Sequence, residues 1–93
     1  MSYYAAFLHM IDPEKNQAVL PRHIAYLDKL DEEGKIFARG PFTDGSGGLV
    51  VYIADSLEAA TYLAENDPHV LEKVRRLELK EWKVWQPVGE EIR

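Results

Sequence analysis

The chain is 93 residues long, carries a net charge of −5 and contains no cysteine, which excludes disulfides, thiolate nucleophiles and cysteine-based zinc sites. Its 46% hydrophobic and 29% charged residues describe a globular chain, and the expectation is a single domain over residues 1–93. The acidic balance argues against a nucleic-acid partner, and no apolar run approaches the length of a membrane span, so no membrane partner is expected and the cytoplasm is the default location.

The elements follow in chain order. Tyr3 to Met10 is a compact aromatic and aliphatic run that reads as a strand, and Asp12-Pro13 behind it reads as a turn. A helix is expected from about Leu20 to Glu33, with Pro21 in its first turn, Asn16 and Gln17 in an irregular lead-in, and Gly34 closing it. Ile36 to Gly40 and Gly48 to Ala54 read as strands joined by the turn-rich loop Pro41 to Gly47. Asp55 to Glu58 resembles a capping box for a second helix ending near Glu65, before Asp67-Pro68. A charged stretch from Leu71 to Arg76 suggests a short extra turn, and Leu77 to Gln86 is the last strand, stopped by Pro87. The order is βαββαβ, which predicts an α+β, ferredoxin-like fold with an antiparallel sheet.

In that plan both helices cover one sheet face, yet the first and third strands are apolar on both faces. In the last strand Leu77 and Leu79 share one face while Trp82 and Val84 take the other, which predicts a bulge near Lys80-Glu81 or a strand crossing into another subunit there. A second copy covering the open face, giving a homodimer packed sheet on sheet, is the expected assembly.

On the first helix Leu20, Ile24, Leu27 and Leu30 form one stripe, and His23 falls inside it. Chain direction then brings His9, His23, the Gly40–Gly48 loop, Asp67 and His69 to one end of the sheet, where a cleft is expected. His23 and Asp67 are the candidate catalytic pair, and Asp67 equally suits a plain capping role in its Asp-Pro turn. His9, Gly40, Pro41, Asp44, Gly48 and His69 are candidate binding residues. No histidine spacing suggests a metal site, and no phosphate-binding loop is present, so neither metal nor cofactor is expected. A carboxylate that orients one imidazole nitrogen leaves the other as a base near neutral pH, without a covalent intermediate. Elimination, isomerisation or dehydrochlorination of a small, aromatic or otherwise apolar molecule would suit such a pair, the work of a cofactor-independent lyase or isomerase. The alternative is a non-enzymatic dimeric small-molecule-binding or accessory module in which the same residues only organise a pocket.

His23-Ile-x-x-Leu27, Gly34-Lys35, Gly40-Pro41, the Asp44-Gly loop followed by Gly48, and Asp67-Pro68 resemble the ordered landmarks of the YciI-like (YCII-related) family across nearly the whole chain. The resemblance implies one YCII-related domain, a dimeric α/β barrel on the ferredoxin plan, and an active pair at His23 and Asp67. It also implies relatives of mostly unknown reaction, one type being a dehydrochlorinase of a chlorinated hydroxyquinol. Two positions depart from the family's pattern. Leu20 stands where an arginine is common, with Arg22 close by, and His69 stands where an aromatic usually follows Asp-Pro. Both lie beside the expected site, so a substrate does not carry over with the resemblance.

Overall fold

The computed structural model describes residues 1–85. Strand β1 (Ser2–Met10) leads into helix α1 (Pro13–Glu32), followed by β2 (Ile36–Pro41) and β3 (Gly47–Ala54). Helix α2 (Leu57–Glu65), the short helix α3 (Pro68–Leu71) and β4 (Arg75–Trp82) complete the chain order. The four strands lie in the order β2-β3-β1-β4, all antiparallel, which is the expected ferredoxin-like arrangement.

Helix α1 starts much earlier than the sequence suggested. Asp12 is its N-cap, with the carboxylate accepting from the Lys15 backbone N–H, and Pro13 takes the first helical position. Both residues satisfy the start of a helix rather than a turn. Pro21 consequently lies inside the helix, where its missing N–H is tolerated without ending it. At the far end Gly34 adopts φ +76° while Lys35 N–H reaches Leu30 O and Gly34 N–H reaches Asp31 O, a Schellman closure that favours glycine. The end of α3 is closed in the same way by Val74 N–H to His69 O, but there the left-handed residue is Lys73 at φ +59°.

The earlier start also shifts the buried stripe, which runs through Asn16, Val19, His23, Leu27 and Leu30. Ile24 is exposed rather than buried. Beneath the helices, Tyr4, Ala6, Leu8, Val50 and Tyr52 form the core with Leu27 and Leu30. The opposite sheet face carries Phe7, Leu49 and Ile53, only partly buried, and Tyr3 meets Phe37 edge to face at 5.0 Å. Strands β1 and β3 are therefore largely apolar on both faces, whereas β4 places Arg76, Glu78 and Lys80 on the face away from the helices.

The bulge expected in β4 is absent. β4 pairs with β1 in unbroken register from Met10↔Arg75 to Tyr3↔Trp82. Leu77 and Leu79 face the helices and Trp82 the other side by simple alternation. The irregularity lies in β2, between Ile36 and Ala38. The strand itself ends at Trp82, and the expected extension to Gln86 and stop at Pro87 fall outside the described residues. Among the described residues no helix is long and apolar enough to cross a membrane.

Candidate active site

The C-terminal ends of β1 and β2, the starts of β3 and β4, the first half of α1 and the α2–α3 junction meet at one end of the sheet. There the sequence places polar side chains on elements that are otherwise packed. Asn16 and His23 are seven residues apart on α1, two helical turns, so both point inward. Asp67 is fixed because it caps α3, its Oδ1 accepting from the His69 backbone N–H at 2.9 Å. The same Oδ1 accepts from Nδ1 of His23 at 2.8 Å. Capping and pairing are thus done by one oxygen.

The pair is deeply held: Asp67 is 0% exposed and His23 7%. The His69 ring stacks on His23 with centroids 4.2 Å apart and planes 21° apart. Its Nε2 donates to the Asn16 carbonyl at 3.3 Å, which leaves Nδ1 as a lone pair. Burial, then the nearby His23 and Arg75, push the His69 pKa down to about 4, so this ring stays neutral at physiological pH. Asp67 Oδ2 and His69 Nδ1 are buried without a hydrogen-bond partner among the described residues. Tyr26 lies nearby, its hydroxyl donating to Leu63 O at 2.7 Å, and burial followed by the Asp67 charge pushes its pKa up to about 12. Burial and Asp67 also push Tyr52 well above the ordinary tyrosine range.

His23, Asp67 and His69 offer ligand atoms within 4.8 Å of one another, the spacing of a metal site. The ring stack argues against that use. In-plane lone pairs of two nearly parallel rings do not converge on one point, and the His23 Nδ1 hydrogen bond to Asp67 would have to break.

In front of the pair lies a cleft of about 570 Å³ between α1 and the β2–β3 hairpin, a volume typical of small-molecule sites. His23 lines it, as do the expected Gly40, Pro41 and Gly48, with Leu27, Met10 and Phe42 among the apolar walls. Glycine is required at Gly47, where φ is +136° and a Cβ would lie 1.9 Å from Leu8 O. The other candidates are not brought there. Asp44 folds its own turn, accepting from Ser46 N–H at 2.9 Å. His9 projects from the opposite sheet face, where its Nε2 pairs with Glu78 at 2.8 Å and its ring stacks on Phe7. His69 supports His23 from behind and does not line the cleft.

Two residues at the site escaped the sequence reading. The sequence pattern puts Asn16 in an irregular lead-in and Arg75 in a charged turn, whereas both lie on packed faces of regular elements. Arg75 is 8% exposed and lines the cleft, its Nε donating to Asn16 Oδ1 at 3.0 Å. Both carried a signal. Asn16 shares the helical face of His23 once the helix is started at Pro13, and Arg75 shares the strand face of Leu77 and Leu79.

Residues 2–83 match the family model of the YCII-related domain. The chain belongs to the YCII-related family. Its relatives include the uncharacterized protein YjpA of Bacillus subtilis (strain 168), 38% identical over 82 residues that cover 88% of this chain and 96% of YjpA. Among solved structures it is similar to 5-chloro-2-hydroxyhydroquinone dehydrochlorinase (TftG) from Burkholderia phenoliruptrix AC1100, in complex with 2,5-dihydroxybenzoquinone. That likeness has a TM-score of 0.75 and covers 87% of this chain and 93% of TftG, at 20% identity, which establishes a shared fold. In this chain the fold holds a buried His23-Asp67-His69 cluster, of which His23 lines the cleft.

Proposed function

We propose that this protein is a small-molecule enzyme in which His23 and Asp67 move a proton. The observation that carries the reading is the division of labour on one imidazole. Nδ1 is tied to a fully buried carboxylate, while the ring lines the cleft and its Nε2 has no hydrogen-bond partner among the described residues. Asp67 holds the tautomer, so Nε2 is a base presented to the ligand, and the imidazolium that forms is stabilised by the same carboxylate. Nε2 takes a proton from an O–H, or from a carbon next to a carbonyl, and the electron pair moves into the substrate. Either a leaving group such as chloride departs, or the proton returns at another atom. The first outcome is elimination or dehydrochlorination and the second isomerisation. Apolar walls favour an aromatic or otherwise apolar substrate body. The dehydrochlorinase activity named for TftG lies within this class.

The test is turnover of 5-chloro-2-hydroxyhydroquinone, followed by chloride release, beside a panel of carbon acids followed by exchange with deuterated water. His23→Ala is expected to lower whichever activity is found by about 10²–10⁴-fold while ligand binding persists. Undiminished turnover in that variant would overturn the reading, and a protein that binds these molecules but transforms none is a binding module instead.

We also infer that two copies pack sheet on sheet through the face carrying Tyr3, Phe7, Phe37, Leu49, Ile53 and Trp82. Phe37 and Trp82 are 45% and 43% exposed in the single chain, too much aromatic surface for a monomer to leave wet. Sedimentation at micromolar concentration should give a dimer, and a stable monomer would refute it.

A further inference from the structure

We infer that Arg75 makes the cleft a site for a small organic anion, its carboxylate or enolate oxygen seated on the guanidinium. The inference rests on the cleft being the substrate site and names the class of substrate. Two arginines line the cleft, and their circumstances differ. Arg39 is satisfied at the rim by Asp28 at 2.6 Å and Asp31 at 3.6 Å. Arg75 is more than nine-tenths buried yet forms no ion pair with any described residue.

A guanidinium taken out of water without an acid partner is costly to keep, and it persists where something else answers its charge. Asp67 is near enough to favour the charged form and its Oδ2 is unengaged, but no hydrogen bond or ion pair joins the two side chains among the described residues. What the fold supplies is positioning. Asn16 Oδ1 takes the Nε hydrogen and sets the plane of the fork. Gly48 clears the space beside it, since a Cβ there would come within 3.3 Å of Nη1. The terminal nitrogens make no hydrogen bond with a described residue, and Arg75 and His23 border the same cavity.

An anion held by Arg75 would present its apolar body to Leu27, Ile24 and Met10, with its acidic hydrogen toward His23. A planar fork suits a carboxylate or an enolate through paired N–H···O⁻ bonds. The same contact would favour negative charge developing on that oxygen as the proton leaves.

Benzoate and its neutral isostere benzamide are the probes, titrated into the unmodified protein and followed by ¹H–¹⁵N spectra that include the arginine Nε–H signals. Benzoate should shift the Arg75 Nε–H and bind about tenfold or more tightly than benzamide, the difference expected for a hydrogen-bonded charge. Arg75→Gln, checked by its amide spectrum to be folded, should remove that preference, and Arg75→Lys should restore part of it. Equal binding of the two probes, failure of benzoate to bind, or a preference unchanged in Arg75→Gln would overturn the inference. If Arg75→Gln does not fold, the comparison of probes on the unmodified protein still decides. The outcome is separable from the acid–base reading. Loss of turnover in His23→Ala with no benzoate preference would leave the proton-transfer pair standing and remove the anion site. A benzoate preference with turnover unchanged in His23→Ala would do the reverse.

Discussion

The chain uses the dipeptide Asp-Pro twice, and the two copies do the same local job to different ends. Asp12-Pro13 opens α1 and Asp67-Pro68 opens α3, each with the aspartate as N-cap and the proline in the first helical turn. Asp12 is near solvent, and among the described residues its carboxylate accepts only the Lys15 backbone N–H, at 3.0 Å. Asp67 is wholly buried and adds His23 to its cap. A capping motif fixes a carboxylate in space at little cost; whether that carboxylate acquires chemistry depends on what the rest of the fold aims at it. Capping and pairing, which the sequence posed as alternatives for Asp67, are one arrangement.

The largest expected difference is in stability. Asp67→Ala removes a cap and a buried charge-assisted hydrogen bond together, so it should cost about 3 kcal/mol in denaturant unfolding. Asp12→Ala removes only a partly exposed cap and should cost about 1 kcal/mol. Equal losses would break the comparison. The two roles of Asp67 can be separated further with Asp67→Asn. Asparagine is as good an N-cap, so most of the stability should survive while turnover falls with the charge.

The surroundings of Asp67 also predict a pH dependence that Asp12 does not share. His69 is pushed down to about 4 in the folded chain. The unfolded chain binds its proton near the ordinary value of about 6.5, so the unfolded state holds more protons between these values. Stability should therefore fall as pH drops from about 6.5 to about 4. His69→Gln should flatten that part of the profile in thermal unfolding measured across the range. Asp12→Ala should leave it unchanged.

The same pair of motifs explains what was legible in the sequence. The fold came through because strand lengths and turn residues agree locally with the topology; the second helix starts one residue later than the expected Asp55 to Glu58 box implies, with Ser56 as its cap. The meeting of His23 and Asp67 was legible because chain direction alone brings the start of α1 and the end of α2 to one end of the sheet. Asp12-Pro13, read as a turn, hid the first two turns of α1 and with them Asn16. Pro21 encouraged the error, since proline is usually excluded from a helix interior. Arg75 was lost when α3 was placed too late, and a buried arginine is in any case rare enough to be passed over as surface charge. His9 was misplaced for a different reason: alternation along β1 sends it to the face away from the helices, although it sits at the correct end of the strand.

The central claim is that Asp67 sets His23 as a base whose free nitrogen meets the cleft. Nitrogen-15 NMR of the histidine rings at neutral pH tests it most directly, because the two nitrogens of a neutral imidazole report which one carries the hydrogen. The account predicts His23 with hydrogen on Nδ1 and a bare Nε2, and a loss of that single-tautomer signature in Asp67→Ala. A His23 that carries its hydrogen on Nε2, or shows the same tautomer mixture with and without Asp67, would contradict it.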